Sequence, residues 1–186
     1  ISSTAPLAAG FVAYAENATL KNIIFQDVSI TSKYTYCGGI AGYITSSTVE
    51  NCRISGGKVQ AYETALNVES VANAGFSGGI VGHASKSTIK DCIMDCSASF
   101  YGQFSGGVVG DAASCTIDGC MVPVDRAVNV YYHNNGGIVA RVTGSDSVVK
   151  NCVFEGNLTS CGNTQGGIVG SLQGGEVVDC VMGGHG

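Results

Sequence analysis

One five-residue phrase keeps returning along this chain of 186 residues, and no other feature restricts its fold as tightly. The copies are Gly38-Gly39-Ile40-Ala41-Gly42, Gly78-Gly79-Ile80-Val81-Gly82, Gly106-Gly107-Val108-Val109-Gly110, Gly136-Gly137-Ile138-Val139-Ala140 and Gly166-Gly167-Ile168-Val169-Gly170. A worn copy stands at Ala9-Gly10-Phe11-Val12-Ala13. Some ten residues after each comes a second phrase: Leu20-Lys21-Asn22-Ile23, Val49-Glu50-Asn51-Cys52, Ile89-Lys90-Asp91-Cys92, Ile117-Asp118-Gly119-Cys120, Val149-Lys150-Asn151-Cys152 and Val178-Asp179-Cys180. The second glycines fall at 10, 39, 79, 107, 137 and 167, so the steps are 29, 40, 28, 30 and 30 residues. Units this small cannot bury an apolar face alone, so they must stack on one another.

The segments within a unit are short, β-branched and punctuated by Gly, Asn and Asp, which excludes a helical solenoid. Apolar residues fall near period two in Ile168-Val169-Gly170-Ser171-Leu172 and in Val49-Glu50-Asn51-Cys52-Arg53-Ile54. A third strand per unit is carried by Val28/Ile30, Val59/Ala61, Ala98/Phe100, Val128/Val130 and Leu158/Ser160. The expectation is an all-β chain: one right-handed parallel β-helix of about six coils, three short strands per coil, over residues 1–186. The chain reads as a segment of a longer array. The step of 40 places an excursion within residues 58–76, the kind of insertion that often marks a binding face.

Three columns test the register. Asn22, Asn51, Asp91, Gly119, Asn151 and Asp179 are residue types that tolerate positive φ, so they mark a corner and a ladder of side chains. The preceding residues, Lys21, Glu50, Lys90, Asp118 and Lys150, alternate in sign from unit to unit, as stacked neighbours about 4.8 Å apart should. Cys52, Cys92, Cys120, Cys152 and Cys180 occupy the position held by Ile23 in the first unit. A cysteine that exchanges with isoleucine is a small buried hydrophobe, so the five form a structural thiol ladder. The spacing of Cys92/Cys96 and Cys115/Cys120 is not that of a zinc site, and no metal or cofactor is expected.

The Gly-Gly-aliphatic phrase, its small-residue turn and the Ile/Val-x-Asn strand resemble the GLUG repeat, over nearly the whole chain from about Pro6 to Cys180. Such repeats occur in bacterial surface and adhesin-like proteins and in non-catalytic regions of IgA-cleaving metallopeptidases. The resemblance implies attachment or display at a cell surface and supplies no catalytic residues. The nine cysteines depart from that pattern and keep a reducing compartment open.

The formal net charge of −5 argues against nucleic acid, and no apolar run is long enough to span a bilayer. His83, His133 and His185 lack the His-Glu-x-x-His spacing of a metallopeptidase. A carbohydrate-active β-helix enzyme is the rival, because such sites gather carboxylates on one outer face. The best constellation is the outward column His83, Asp111, Arg141, flanked by Tyr14, Tyr43 and Ser171, expected as a solvated, mutually neutralising stripe. Asp125 and Arg126 form a second charged spot. Tyr131 and Tyr132, with Tyr34, Tyr36, Phe76, Tyr101 and Phe104, precede corners and are candidates for an aromatic edge.

Two apolar columns are read as outward. One is Ile24, Arg53, Ile93, Met121, Val153, Val181; the other is Val12, Ala41, Val81, Val109, Val139, Val169. Contiguous exposed apolar stripes mark interaction surfaces, unless a bulge or shifted corner turns one of these strands inward. The expected function is therefore a non-enzymatic structural and interaction module, an extracellular adhesin-like stalk that binds a protein, a glycan or itself along its side. An intracellular scaffold or filament component is the further alternative.

Overall fold

The computed structural model describes residues 2–3, 10–32, 36–61, 75–131 and 133–183. They form a parallel β-helix whose strands are shared among four sheets. Sheet I holds Tyr36–Gly38, Phe76–Gly78, Phe104–Gly106, Asn134–Gly136 and Thr164–Gly166. Sheet II holds Val12–Glu16, Ala41–Thr45, Val81–Ser85, Val109–Ala113, Val139–Thr143 and Val169–Gln173. Sheet III holds Thr19–Lys21, Thr48–Glu50, Thr88–Lys90, Thr116–Asp118, Val148–Lys150 and Glu176–Val178. Sheet IV is built from the longer segments such as Arg53–Ala61 and Ile93–Phe100. Sheets II and III have six rungs and sheet I has five, so the chain makes about five full turns. Each coil crosses four sheets instead of three, because a left-handed residue divides the 49–54 segment and a short extra strand ends on the first glycine of each pair. The excursion falls on residues 62–74, outside the described residues.

The corners follow from single residues. Between sheets III and IV, φ is 58° at Asn22, 51° at Asn51, 51° at Asp91, 63° at Gly119, 53° at Asn151 and 49° at Asp179. Between sheets II and III, Asn17, Ser46, Lys86 and Ser114 take the same conformation, with φ of 50°, 46°, 48° and 54°. Most L-residues lose about 1–2 kcal/mol there, and Asn and Asp lose less. A left-handed residue lets the side chains on either side of the corner point inward. Val49 and Cys52, like Ile89 and Cys92, are accordingly both buried.

The glycine pair has two separate reasons. A Cβ on the first glycine would strike backbone: on Gly38 it would meet Ala41 O and lie 2.7 Å from Gly82 N. A Cβ on the second would strike the large inward side chain of sheet IV, which is Ile54 at Gly39, Met94 at Gly79, Phe154 at Gly137 and Met182 at Gly167. The pair therefore lets sheet I lie hard against sheet II while sheet IV fills the interior.

The core is a set of vertical columns: Ile44, Ala84, Ala112 and Val142; Val49, Ile89, Ile117 and Val149; Ile54, Met94, Val122 and Phe154. These side chains are fully buried or within 1% of it, and full burial of each large one contributes about 1.5–3 kcal/mol. Ala41, Val81, Val109 and Val139 are also fully buried, which corrects the expected second outward stripe. The N–H groups of Ile80 and Val81 both bond to Val108 O. This bulge-like step turns two consecutive side chains into the core and breaks the period-two reading.

Candidate functional site

The outer surface of sheet II carries the densest chemistry. Parallel register sets His83 beside Asp111 and Asp111 beside Arg141, with Tyr14 and Tyr43 below and Ser171 above. Arg141 donates through Nε to Asp111 Oδ1 at 2.6 Å. His83 Nδ1 lies 2.8 Å from Asp111 Oδ2, an ion-pair distance, although its angle falls short of a straight N–H···O bond. Asp111 is only 1% exposed. Burial alone would raise its pKa, but the close approach of His83 and the bond from Arg141 outweigh burial and hold the carboxyl below the usual carboxylate range. The expected solvated stripe is thus a buried clamp.

Sheet I supplies the cover. Its outward rings stack along the rod, Tyr36 on Phe76 at 5.5 Å and Phe76 on Phe104 at 5.3 Å. His83 packs against Tyr43 at 4.9 Å and Phe76 at 5.3 Å. The Arg141 guanidinium sits 4.0 Å from the centre of the Phe104 ring, a cation–π contact that completes its solvation shell. The aromatic residues before the corners therefore meet the charged column. Burial, and then the neighbouring Tyr43 and Asp111, raise the pKa of Tyr36.

Tyr131 stands elsewhere, at the turn from sheet IV to sheet I, with its ring 4.2 Å from Tyr101 and parallel to it. Tyr132 lies outside the described residues. Ile93, Met121 and Val153 do form one outward column on sheet IV, in register with Arg53 below and Val181 above. The three are half-buried, while Ile24 and Val181 at its ends are 65% and 55% exposed.

A second clamp had no sequence signal beyond the noted Arg126. Asp95, 8% exposed, accepts from Arg126 Nε at 2.6 Å and from Arg53. Its pKa is lowered too: burial pushes it up, and the two guanidinium groups more than offset that. Asp95 pairs with Ser55, so Arg53 reaches it from the adjacent column in register with Ile93, and the sheet shifts register just beyond Asp95.

The two ladders are present. Asn51 Nδ2 donates to Asn22 Oδ1 at 2.7 Å, and where Gly119 interrupts the series Asn151 donates to Asp118 Oδ1 at 2.8 Å. All nine cysteines are free thiols, seven of them buried, with Cys161 exposed and Cys180 intermediate. Among the described residues no three His, Cys, Asp or Glu side chains group as metal ligands, and no helix is long and apolar enough to cross a membrane. The chain matches no known family model, no curated protein and no solved structure.

Proposed function

We propose that this chain is a non-enzymatic structural and interaction module, a stiff adhesin-like rod displayed at a cell surface that engages a partner along its side. The observation that carries the proposal is the saturation of the two buried carboxylates among the described residues. Asp111 is held by His83 and Arg141 under an aromatic cover, and Asp95 by two arginines. A general acid or base needs a carboxyl free to exchange a proton near neutral pH. Both of these are instead fixed as anions and tie neighbouring coils together. Removing one partner of a buried pair such as Asp111–Arg141 costs about 3–5 kcal/mol, which is a structural magnitude.

The outward column through Ile93, Met121 and Val153 supports the interaction side of the proposal, as does the resemblance to GLUG repeats. The thiols are compatible with an extracellular setting. Parallel neighbours one rung apart hold their β-carbons about 4.8 Å apart, beyond the ~3.5–4.5 Å of a disulfide. Burial also keeps oxidants from seven of the nine.

The test compares stability and hydrolysis in one variant. Asp111→Ala should lower the unfolding free energy by about 3–5 kcal/mol. Neither it nor the unaltered chain should cleave a panel of polysaccharides. Cleavage by the unaltered chain that Asp111→Ala abolishes at unchanged stability would replace this proposal with a carbohydrate-active enzyme.

A further inference from the structure

The thiol ladder has a geometry that no linear motif encodes. In five consecutive rungs, each sulfur contacts the carbonyl two residues earlier, at the end of the strand before the corner. The distances are 3.3 Å for Cys52, 3.2 Å for Cys92, 3.6 Å for Cys120, 3.2 Å for Cys152 and 3.3 Å for Cys180. Each also contacts a carbonyl of the rung below: Leu20, Val49, Ile89, Ile117 and Val149, at 3.6, 3.6, 3.7, 3.8 and 3.7 Å. Identical contacts on every rung mean identical side-chain orientation, so the sulfurs repeat with the rungs, about 4.8 Å apart. That spacing is too long for a disulfide. It does match two metal–thiolate bonds placed end to end, because one such bond is ~2.3 Å and two in line span ~4.6 Å.

We propose that adjacent thiols of this column form linear, two-coordinate sites for a soft divalent closed-shell cation, for which mercury(II) is the probe. Two S–H bonds break and two S–Hg bonds form on the line between the sulfurs. Two protons leave to solvent, and no electron is transferred. A divalent ion replaces two protons, so the site stays neutral, which a dry core requires. A monovalent soft ion bound by two thiolates would leave a buried negative charge. Zinc is disfavoured because it takes four tetrahedral ligands and the column offers two in line. Thiolate softness selects against calcium and magnesium. The rung spacing is fixed by backbone hydrogen bonds, so the site needs little rearrangement. The way in is from the end of the column, where Cys180 is partly exposed.

The site predicts a count. Five thiols in a row make two pairs, so the reduced chain carrying Cys161→Ser should hold two tightly bound mercury ions in the column. X-ray absorption should show two sulfurs at ~2.3 Å and no third ligand. Cys120→Val leaves the pairs Cys52–Cys92 and Cys152–Cys180 and should still hold two. Cys92→Val leaves three consecutive thiols and should hold one. Cys92→Val with Cys152→Val leaves thiols only on alternate rungs, about 9.6 Å apart, and should hold none with two-sulfur coordination. Cys37→Ala with Cys96→Ala removes as many thiols outside the column and should still hold two. Ile23 already occupies the column position in the first coil, so valine is a mild replacement, and a melting curve for each variant separates misfolding from lost binding. Single-sulfur mercury in the unaltered column, or the two-sulfur signature surviving in the alternate-rung variant, would overturn the proposal.

Discussion

The corners on either side of sheet III share one backbone plan and are filled differently. In both, a left-handed residue is followed by an inward side chain that reaches back to the carbonyl of the strand just ended. Between sheets II and III that side chain is Ser47, Ser87 and Cys115, with Ser147 taking the same place three residues after the left-handed Gly144; between sheets III and IV it is Cys52, Cys92, Cys120, Cys152 and Cys180. The serines bond at full strength. Ser47 Oγ donates to Thr45 O at 2.7 Å and Ser87 Oγ to Ser85 O at 2.6 Å. Each serine also accepts a backbone N–H from the rung below, Ala18 N to Ser47 Oγ and Ser47 N to Ser87 Oγ, both at 3.1 Å. The one cysteine in that column, Cys115, takes the same contact from Ser87 N at 3.4 Å. A left-handed residue removes the following N–H from the parallel ladder, and the column supplies the missing acceptor. Serine meets this need with an oxygen, and cysteine with a larger, softer sulfur that accepts more weakly and packs as a small apolar group.

The largest expected effect that sharpens this contrast comes from alkali, which acts on thiols and not on serines. Burial pushes Cys37 and Cys96 up to about 12 and Cys115 up to about 11. Unfolded thiols ionise near 9.0, so above that pH the unfolded chain binds fewer protons than the folded one. Stability is therefore whole below about pH 9 and falls as pH rises, by about 1.4 kcal/mol per pH unit for each such thiol. Denaturant midpoints at pH 8 and pH ~10.5 should differ by several kcal/mol. Cys37→Ala with Cys96→Ala should flatten the slope; an unchanged slope means these thiols do not stay protonated in the fold.

Ser87→Ala comes next. It strands the N–H of Ser47 in the core and should cost about 1–3 kcal/mol in urea unfolding. Cys120→Val should cost less than about 1.5 kcal/mol, as a near-isosteric apolar exchange. Equal costs would mean that the two columns are not specialised. A β-branched residue in place of asparagine at the left-handed position should cost about 1–2 kcal/mol at either corner, so Asn17→Val and Asn22→Val should shift the unfolding midpoint alike. A shift at one corner alone would show that their backbones differ as well. The smallest effect lies on the outer face between them. Lys21 Nζ and Glu50 Oε2 are 3.1 Å apart and largely exposed, so a double-mutant cycle should give a coupling below about 1 kcal/mol that salt removes.

Repetition made part of this molecule legible. Equivalent letters became neighbours at Asn22 and Asn51, at Lys21 and Glu50, and at His83, Asp111 and Arg141, because a parallel coil turns sequence phase into spatial register. The serine ladder was hidden because Ser47 sits within Thr45-Ser46-Ser47-Thr48, where nothing in composition separates an inward hydroxyl from outward ones. The burial of Val81 was hidden because two consecutive residues turn inward at a bend, which no period predicts. Asp95 was hidden because its arginines come from positions of the repeat other than its own. The clamp at Asp111 was visible as a column but not as a buried one, since its cover comes from sheet I, whose short strands carry almost no pattern.

Distance measurement between exposed rungs tests the stacking most directly. Nitroxide labels at Lys21→Cys and Lys150→Cys, in a chain carrying Cys161→Ser and Cys180→Val, sit on the outer face of sheet III four rungs apart. Pulsed electron resonance should give a narrow distribution centred at about 19 Å plus the label arms, and moving the second label to Asp118→Cys should shorten it by about 4.8 Å. A broad distribution, or a separation that does not step with rung number, would contradict the stacked coil.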